Sequence, residues 1–325
     1  MFMQLINQMY VAANNVKRRN NYKIKIKIYI DLLICMLKYG ASPNNYDKFE
    51  FDKLNKNQRK TYVTHRLSNQ MINQLNESGY RDIFENKLEF AKRFENYFNR
   101  EYISSKCTEE EFIRFAKKHP KAIYKPICMA QAEGIQVLNF SEDIDELKGV
   151  YFEINKLTEG IIEEWIEQDS TISEIYPDAV NCLRIITVYD NNKANLLTGG
   201  MTFALDGEIA NGSKKSLIAP VNMETGIIDK PAATFGSDIY INHPATNKKI
   251  LGFQVPYWNE VVKLLNNAVK VVPEVRYVGW DIAITKNGPC LIEGNTSPGY
   301  RYYQIPKHLD NGIGNRDKYE KFLRK

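Results

Sequence analysis

The sequence predicts an α+β protein whose strands form mainly antiparallel sheets. Helical patterns dominate the chain up to about residue 118, and strand patterns separated by turn residues dominate the rest. Near the C-terminus, two apolar runs flank Asn287-Gly288, an arrangement typical of a β-hairpin, which joins antiparallel strands. Helices and antiparallel strands in separate stretches indicate an α+β fold. We expect a helix-rich N-terminal extension with a basic strand over residues 1–75, and a second domain over residues 76–325.

The composition is that of a globular protein. The chain has 325 residues, of which 43% are hydrophobic and 26% charged, enough for one large domain or two. Its net charge of +5 is small for this length, and we expect no nucleic-acid partner. Five dispersed cysteines without a Cys-x-x-Cys pair, and the lack of a secretory signal pattern, predict a reducing, cytoplasmic location. The longest apolar run, residues 28–37, contains Asp31 and is too short to span a bilayer.

Residues 1–22 have a helical pattern, and a basic segment follows. Lys23, Lys25 and Lys27 alternate with isoleucines, which predicts a strand with one basic face, and the cluster Lys17-Arg18-Arg19 precedes it. The basic face could bind an anionic partner such as a membrane surface, a nucleic acid or a phosphorylated lipid carrier. A solvated edge strand explains the same pattern, since lysines on an edge oppose aggregation.

The remaining elements follow in chain order. Ser42-Pro43-Asn44-Asn45 predicts a turn, and residues 76–118 are mostly helical. Thr108 and Glu111 predict a capped helix start, and that helix should end near His119-Pro120. Strands are then expected over residues 122–129, 149–154, 161–166, 180–189 and 195–205, and a helix over residues 258–272.

The turn length determines what the C-terminal hairpin presents. A two-residue Asn287-Gly288 turn would pair Ile282 with Glu293 and place that carboxylate among apolar side chains. A three-residue loop, Lys286-Asn287-Gly288, pairs Asp281 with Glu293 instead. We predict the three-residue loop, because one apolar and one acidic face then result. The apolar face would hold Trp280, Ile282, Ile284, Cys290 and Ile292.

The acidic face of the hairpin is a candidate metal site. Two carboxylates directly opposite each other destabilise a sheet unless a cation lies between them. Asn295 follows Glu293 by two residues and adds an amide oxygen on the same face as Asp281 and Glu293. Such an all-oxygen set suits Mg²⁺. The alternative is an exposed hairpin whose wet side is acidic.

Two segments carry candidate nucleotide contacts. Lys125 lies in an apolar strand, where its ammonium needs an anionic partner such as a phosphate, although an edge-strand lysine before a proline is an alternative. The run of residues 161–166 could form an adenine slot, followed by Glu167 or Gln168 within reach of a ribose hydroxyl. A surface strand is the simpler explanation of that run.

The strand over residues 180–189 is apolar except for Asn181 and Arg184. An arginine in such a strand needs a carboxylate or phosphate partner, so Arg184 either binds a phosphoryl group or forms a structural ion pair. The two residues are three apart, which sends their side chains to opposite faces of a regular strand. Both can serve one site only if Asn181 precedes the strand or lies at a bulge.

These segments together resemble the sugar-transfer-associated group of ATP-grasp proteins, which is found among polysaccharide biosynthesis genes. The resemblance is strongest in residues 278–299, in Gly-Trp-Asp-x-Ala-x-Thr followed by Leu-Ile-Glu-Gly-Asn. It continues in the segments beginning at Glu85, Asn181, Val221 and His243, and covers roughly residues 75–310. Residues 128–134 contain one glycine where ATP-grasp proteins usually have a glycine-rich phosphate loop, and Lys215-Ser216 replaces a glycine pair.

The resemblance implies an ATP-grasp fold with the nucleotide bound between two subdomains. It implies ATP and Mg²⁺ as cofactors and assigns roles to residues named above. Asp281, Glu293 and Asn295 would hold the metal, and Lys125 and Lys87 would contact phosphates. The catalytic residues would be Arg184 and Lys125. The nucleotide-binding set comprises Lys87, Lys125, Glu163, Glu164, Trp165, Ile166, Gln168 and Asn181.

The resemblance also implies an ATP-dependent carbon–nitrogen ligase. A carboxylate and an amine would be joined through an acyl-phosphate, on a small molecule or a sugar or glycan precursor. The same residue set would serve a kinase acting on a hydroxyl, and the glycine-poor loop leaves a non-catalytic nucleotide-binding protein as a third hypothesis. The acceptor-site residues and the oligomeric state stay open.

Overall fold

The structure, a computed structural model, describes residues 2–21, 25–127, 133–207, 216–234 and 238–323. The chain divides into two units, one formed by Met1–Glu77 with Ser297–Lys325, and the other by Ser78–Thr296. The sequence predicted a domain boundary after residue 75, two residues before Glu77, where the N-terminal part of the first unit ends. It assigned residues 297–325 to the second domain, whereas the structure groups them with the N-terminal segment.

The first unit is helical. Its helices are α1 (Phe2–Asn20), α2 (Ile26–Tyr39), α3 (Pro43–Lys48), α4 (Lys56–Lys60) and α5 (His65–Leu75), with a C-terminal helix at Arg316–Glu320. Short 3-10 turns lie at Phe51–Lys53, Tyr300–Gln304 and Pro306–His308. The buried Gln304 accepts a 2.8 Å hydrogen bond from the Val63 N–H, and Asn45 Nδ2 donates to the Tyr300 hydroxyl at 3.1 Å. These bonds tie the C-terminal segment into the unit.

The predicted basic strand is wrong, because residues 26–39 form helix α2. Its buried side chains are Ile28, Leu32, Cys35 and Tyr39, whose spacing of four, three and four residues is helical. The alternation of lysine and isoleucine covers only a few residues. They stand at the start of a longer apolar segment whose buried residues have this helical period. Lys23 and Ile24 lie outside the described residues. The predicted turn at residues 42–45 is instead the start of α3, where the Ser42 hydroxyl accepts from the Asn45 N–H.

The second unit begins with short helices and a four-stranded sheet. A 3-10 turn at Ser78–Tyr80 precedes α6 (Asp82–Glu85), α7 (Lys87–Arg93) and α8 (Glu95–Phe98). The sheet has the order β1-β4-β2-β3, with every pair antiparallel. Its strands are β1 (Tyr102–Ser104), β2 (Lys121–Pro126), β3 (Gln136–Asn139) and β4 (Gly160–Glu164). Helices α9 (Glu109–Lys118) and α10 (Ile144–Lys156) share a buried apolar core with it.

A seven-stranded antiparallel sheet forms the rest of the second unit. Its order is β11-β10-β5-β6-β7-β8-β9. The strands are β5 (Cys182–Asp190), β6 (Lys193–Ala204), β7 (Ser216–Pro220), β8 (Ala232–Ala233), β9 (Ile239–Tyr240), β10 (Tyr277–Thr285) and β11 (Gly288–Asn295). Helices α11 (Ser170–Ile175) and α12 (Trp258–Ala268) complete the unit, and the main core lies under this sheet.

Most of the predicted elements after residue 100 are confirmed. The Thr108–Glu111 capping box is present, and α9 ends at Lys118, before His119. Strands β2, β4, β5 and β6 lie where they were expected, although residues 128 and 129 of the first lie outside the described residues. Helix α12 starts at Trp258 as predicted and ends four residues early. The strand predicted at residues 149–154 is wrong.

Residues 149–154 lie inside the 13-residue helix α10. Asp143 caps this helix by accepting from the backbone N–H groups of Asp145 and Glu146. Leu147 and Ile154 are its buried residues, and their seven-residue spacing is two helical turns. A short apolar run fits both a strand and a helix segment, and here the cap and the longer period determine the outcome.

The C-terminal hairpin pairs Asp281 with Glu293, as predicted, but by a different route. Thr285 pairs with Gly288, so the turn contains only Lys286 and Asn287, and the three-residue loop is wrong. Ile292 is an extra residue at a β-bulge, which restores the Asp281–Glu293 pair. The core face is therefore formed with Leu291, opposite Ile282, whereas Cys290 lies opposite Ala283.

Candidate functional site

Three neighbouring strands bring Arg184, Asp281 and Glu293 into one row. Asp281 on β10 pairs with Arg184 on β5 and with Glu293 on β11, and side chains of directly paired residues share a face. Arg184 Nε donates to Asp281 Oδ1 at 2.5 Å, and Arg184 Nη2 donates to Asp281 Oδ2. Arg184 Nη2 also lies 4.0 Å from Glu293 Oε1, and Asn295 Nδ2 donates to that oxygen at 3.2 Å. The four side chains form one cluster.

Glu293 is the electrostatically frustrated member of this row. Burial and the adjacent Asp281 carboxylate raise its pKa, while Arg184 and Lys87 act in the opposite direction. Asp281 has the close, bidentate guanidinium contact, and Glu293 has only the distant edge of the same group. A cation between the two carboxylates would relieve this repulsion.

The donor set of the row fits Mg²⁺. It offers two carboxylates and the amide oxygen of Asn295, with the remaining ligands left to water and phosphates, which is how proteins usually bind this ion. Among the residues that the structure describes, no three His, Cys, Asp or Glu side chains form a complete metal cage. An all-protein site of the zinc type is therefore not present in that part of the chain.

A second charged cluster lies on the four-stranded sheet. Glu163, with only 2% of its side chain exposed, accepts from Lys125 Nζ at 2.8 Å and from Arg100 Nε at 2.7 Å. Burial alone would raise the pKa of Glu163, but Arg100 and Lys125 outweigh it, so the pKa is lowered. Glu163 is thus held as a buried carboxylate between two cations.

Arg100 is a site residue that the sequence analysis missed. Its Nη1 donates to the carbonyl oxygens of Leu291 at 2.7 Å and Phe98 at 3.0 Å, and its Nη2 lies 3.5 Å from the Ile292 carbonyl. One guanidinium therefore joins Glu163 on β4 to the bulge of the metal-type hairpin. The only sequence signal for such a residue was the acid at position 163 in an apolar strand, which requires a buried cation from elsewhere in the chain.

The second cluster carries an excess positive charge. Two cations share one carboxylate, and Lys125 is the more exposed of them, with 10% of its side chain accessible against 3% for Arg100. An anion such as a phosphate would balance this charge. Lys87, at the first position of α7, approaches the Ile127 carbonyl at 3.4 Å and contributes to the electrostatics of Glu293.

Gln168 and Asn181 belong to a different network, and the structure does not bring them to the row. Asn181 is fully buried just before β5, and its Nδ2 donates to Gln168 Oε1 at 3.1 Å and to the Tyr176 carbonyl at 2.8 Å. Gln168 Nε2 donates to the same carbonyl at 3.0 Å. Asn181 precedes β5, the arrangement in which it and Arg184 could serve one site, but the hydrogen bonds of its side chain connect loops of the protein.

The profile of the family described as sugar-transfer associated ATP-grasp matches residues 66–318. The chain belongs to this family. The resemblance found in the sequence and the ATP-grasp fold that it implied are confirmed. No curated protein matches the sequence. The structure shows no helix, within the residues it describes, that is long and apolar enough to cross a membrane.

Several solved structures are similar to part of the chain. The ATP-grasp ligase PsnB in complex with its minimal precursor has 12% identity and a TM-score of 0.45, covering 73% of this chain and 60% of that one. D-alanyl-alanine synthetase A from Vibrio cholerae O1 biovar eltor has 12% identity and a TM-score of 0.42, covering 75% and 61%. An ADP complex of the N5-carboxyaminoimidazole ribonucleotide synthetase purK has 11% identity and a TM-score of 0.45, covering 73% and 51%.

The chain spans between 51% and 61% of the length of these three structures.

The ATP-grasp resemblance predicted an adenine-binding hinge at residues 163–166. Glu163 is ion-paired, and the N–H groups of Glu164 and Trp165 donate to the carbonyls of Glu101 and Lys121 at 3.0 and 3.2 Å. Lys121 Nζ lies 3.8 Å from the centroid of the half-buried Trp165 ring, and Ile166 is also half-buried. The hinge assignment stays a prediction. Residues 128–132 of the glycine-poor loop, and Lys215, lie outside the described residues.

Proposed function

We propose that the protein is an ATP- and Mg²⁺-dependent ligase that joins a carboxylate to an amine through an acyl-phosphate. The observation that supports it most is the row of Arg184, Asp281 and Glu293, flanked by Asn295. It combines a metal-type carboxylate pair with an arginine already held in place. Membership of the ATP-grasp family supports the same chemistry. The sugar-transfer description of the family supports a sugar or glycan precursor as the substrate.

Each residue of the row has a role in the proposed reaction. Asp281, Glu293 and Asn295 would hold Mg²⁺, which when bound neutralises phosphate charge and aligns the phosphates. Lys125 and Lys87 would bind phosphate oxygens. Arg184 would stabilise the charge that develops on the transferring phosphoryl group, and Asp281 orients its guanidinium before substrate binds.

The proposed reaction has two steps. A carboxylate oxygen of the substrate attacks the γ-phosphorus of ATP, and the bond to the departing ADP breaks. The amine nitrogen then attacks the acyl carbon, the bond from that carbon to the phosphate oxygen breaks, and the amine loses a proton. The products are an amide, ADP and phosphate. Because the reaction uses ATP, the proposal includes a cytoplasmic location.

The nucleotide site is tested first, by the thermal midpoint with AMPPNP and Mg²⁺. A ligand that binds only the native state at about 100 times its Kd stabilises it by about 2.7 kcal/mol. We expect a Mg²⁺-dependent rise in the wild type that is lost in Glu293→Gln. Glu260→Gln, an exposed acid on α12, is the matched control and should keep the rise. The absence of any rise in the wild type would contradict the proposed site.

Turnover is tested with a panel of uronic acids and their nucleotide-linked forms, using hydroxylamine as a general amine. A ligase forms ADP, phosphate and a hydroxamate only when carboxylate and amine are both present. ADP together with a stable phosphorylated sugar would establish the kinase alternative instead. Nucleotide binding without ATP consumption on any acceptor would favour the non-catalytic alternative.

A further inference from the structure

Helix α2 exposes an apolar stripe that no part of the described chain covers. Its residues are Ile26, Ile30, Leu33, Ile34 and Leu37, and Leu37 is 77% exposed. The spacing of four, three, one and three residues places them on a single helical face. The opposite face, with Ile28, Leu32, Cys35 and Tyr39, is buried in the first unit. A helix that is apolar on both faces normally has a partner on each of them.

Helix α1 extends this exposed apolar surface. Met3, Ile6, Tyr10 and Val11 are each about half exposed or more, with Met3 at 83%. The two helices pack against each other, and Lys25 Nζ, beside the start of the α2 stripe, lies 5.4 Å from the centroid of the Tyr10 ring. Monomeric proteins rarely expose a contiguous apolar patch of this kind unless it contacts something. We call these nine residues of α1 and α2 the apolar patch.

The surroundings of the apolar patch are basic. Residues 1–77 contain 13 Lys and Arg against five Asp and Glu, and Asp47, Glu50 and Asp52 among these acids pair with Arg19, whereas the first 40 residues hold a single acid, Asp31. Asp31 is neutralised by Arg59, whose two Nη atoms lie 2.7 and 2.8 Å from its carboxylate oxygens. The patch therefore lacks an uncompensated acidic neighbour among the described residues of this segment.

Two lysines border the α2 stripe directly. Lys27 and Lys38 are exposed and eleven residues apart, about three helical turns, so they lie on the same side of the stripe. Lys27 is one turn before Ile30, and Lys38 is one turn after Ile34. Lysine stems at such positions lie along an apolar surface while their ammonium groups reach outwards to phosphates.

We propose that the apolar patch docks on an anionic lipid bilayer surface. Apolar side chains flanked by lysines match the boundary between acyl chains and negatively charged headgroups. A second copy of the chain is a poorer fit, because a self-pairing patch would bring its lysines against lysines. At 14 residues α2 is shorter than the about 20 residues needed to span a bilayer, so the contact is interfacial. The inference does not depend on the proposed enzymatic function.

The test is flotation of the full chain with vesicles of phosphatidylcholine alone or mixed with phosphatidylserine. We expect binding to the mixed vesicles only, weakened by added salt. Leu37→Glu should reduce binding roughly tenfold or more, since it removes an exposed leucine that the bilayer would bury. The double variant Lys27→Glu, Lys38→Glu should reduce binding to anionic vesicles. Phe152→Glu, a 58% exposed residue on α10, is the matched control and should bind as the wild type does.

Several outcomes would overturn the inference. The wild type could fail to float, or Leu37→Glu could float as well as the wild type. Light scattering could also show that the wild type is a dimer, that Leu37→Glu dissociates it, and that neither protein binds vesicles. That outcome would assign the apolar patch to contact with a second copy. Leu37→Ser serves as a second variant if the charged one unfolds. Leu37→Glu and Leu37→Ser should both keep the shift of the thermal midpoint that Mg²⁺·AMPPNP produces. A failure of the nucleotide site is therefore distinguishable from a failure of docking.

Discussion

At the scale of single residues, Glu293 shows how a proposed binding site can oppose stability. It faces Asp281 directly, and Arg184 contacts Asp281 far more closely than Glu293. Like charges at a cross-strand pair are destabilising. The ligand-free protein therefore carries a local strain that a cation would remove, in keeping with the trade-off between stability and function at active sites.

We predict that Glu293→Gln raises the thermal midpoint of the ligand-free protein at neutral pH. The pKa of Glu293 is higher in the folded than in the unfolded state. Between these two pKa values the folded state therefore binds more protons than the unfolded state. The wild type therefore loses stability relative to the variant as pH rises from about 4.3, the usual glutamate pKa, through the raised folded pKa. Thermal unfolding from acidic to neutral pH measures this difference.

The two midpoints should converge at acidic pH, where Glu293 is protonated in both states. A variant less stable than the wild type at neutral pH would show that the contacts of Glu293 with Arg184 and Asn295 outweigh its repulsion from Asp281. Glu260→Gln again provides the baseline for removing an exposed acid.

The sequence allowed the prediction of residues whose partners lie on adjacent strands. The Asp281–Glu293 pair was predicted from the hairpin and the alternation of its faces, although the bulge at Ile292 that produces the pair was not. Arg100 could not be predicted, because its partners Glu163 and Leu291 are 63 and 191 residues away and no local pattern connects them. The assignment of Asn181 to the nucleotide stays a prediction, and its hydrogen bonds to Gln168 and Tyr176 could not be predicted because they lie in an irregular segment before β5.

At the scale of elements, Arg100 couples the two sheets of the second unit. It contacts the Glu163 carboxylate on β4 and the Leu291 and Ile292 carbonyls on β11. Arg100 neutralises the Glu163 carboxylate and also links β4 to β11. Arg100 therefore fixes the position of Glu163, the partner of Lys125, relative to the bulge at Ile292. That bulge sets the pairing of Asp281 with Glu293.

We predict that Arg100→Met lowers the free energy of unfolding by about 3–5 kcal/mol, the usual cost of removing one partner of a buried ion pair. Arg100→Lys should restore part of that loss, because it returns the charge without the fork that binds the carbonyls. Denaturant unfolding measures both. The Kd for Mg²⁺·AMPPNP is the second readout, and it should stay weakened in Arg100→Lys if Arg100 positions the two sheets.

Lys125→Met is the matched comparison for Arg100→Met. Lys125 contacts the same Glu163 oxygen but none of the hairpin carbonyls. We expect Lys125→Met to lower the free energy of unfolding less than Arg100→Met does, and to weaken nucleotide binding more. Equal effects of the two substitutions on both quantities would contradict the separate roles.

Elements with local signals were predicted well, and elements with ambiguous periods were not. The α9 cap needs only Thr108 and Glu111, four residues of sequence in all. Helices α2 and α10 were assigned partly to strands, because a few alternating or consecutive apolar residues fit either structure. Their lengths and their spacing of buried residues identify them as helices.

At the scale of the whole molecule, the first unit is built from both ends of the chain. Tyr300, Tyr303 and Tyr319 are buried in it, and Gln304 and Tyr300 bond to Val63 and Asn45. The sequence did not predict this return of the chain, because contacts separated by 241 and 255 residues leave no local pattern.

We predict that a fragment of residues 78–296 is more soluble and unfolds at a higher temperature than a fragment of residues 76–325. The longer fragment keeps the segment 297–325 without the N-terminal residues that bury its tyrosines, so it exposes apolar surface and unsatisfied polar groups. Thermal unfolding and light scattering of the two fragments provide the measurement. A longer fragment that is the more stable of the two would show that residues 297–325 belong with the second unit.

The bulge at Ile292 gives the hairpin a tolerance to changes in chain length. Counting from the two-residue turn, a regular ladder would place Glu293 opposite Trp280, on the core side, and Ile292 shifts the strand by one residue to bring it opposite Asp281. A deletion of Ile292 would leave the glutamate opposite Asp281 in a regular ladder. A residue inserted in the turn would lengthen the loop and leave the pairing of the two strands unchanged, provided that the bulge is kept. Relatives of this chain can therefore differ by one residue in the turn or at the bulge and still present the same pair of carboxylates, so that insertions and deletions here are not evidence of a lost site.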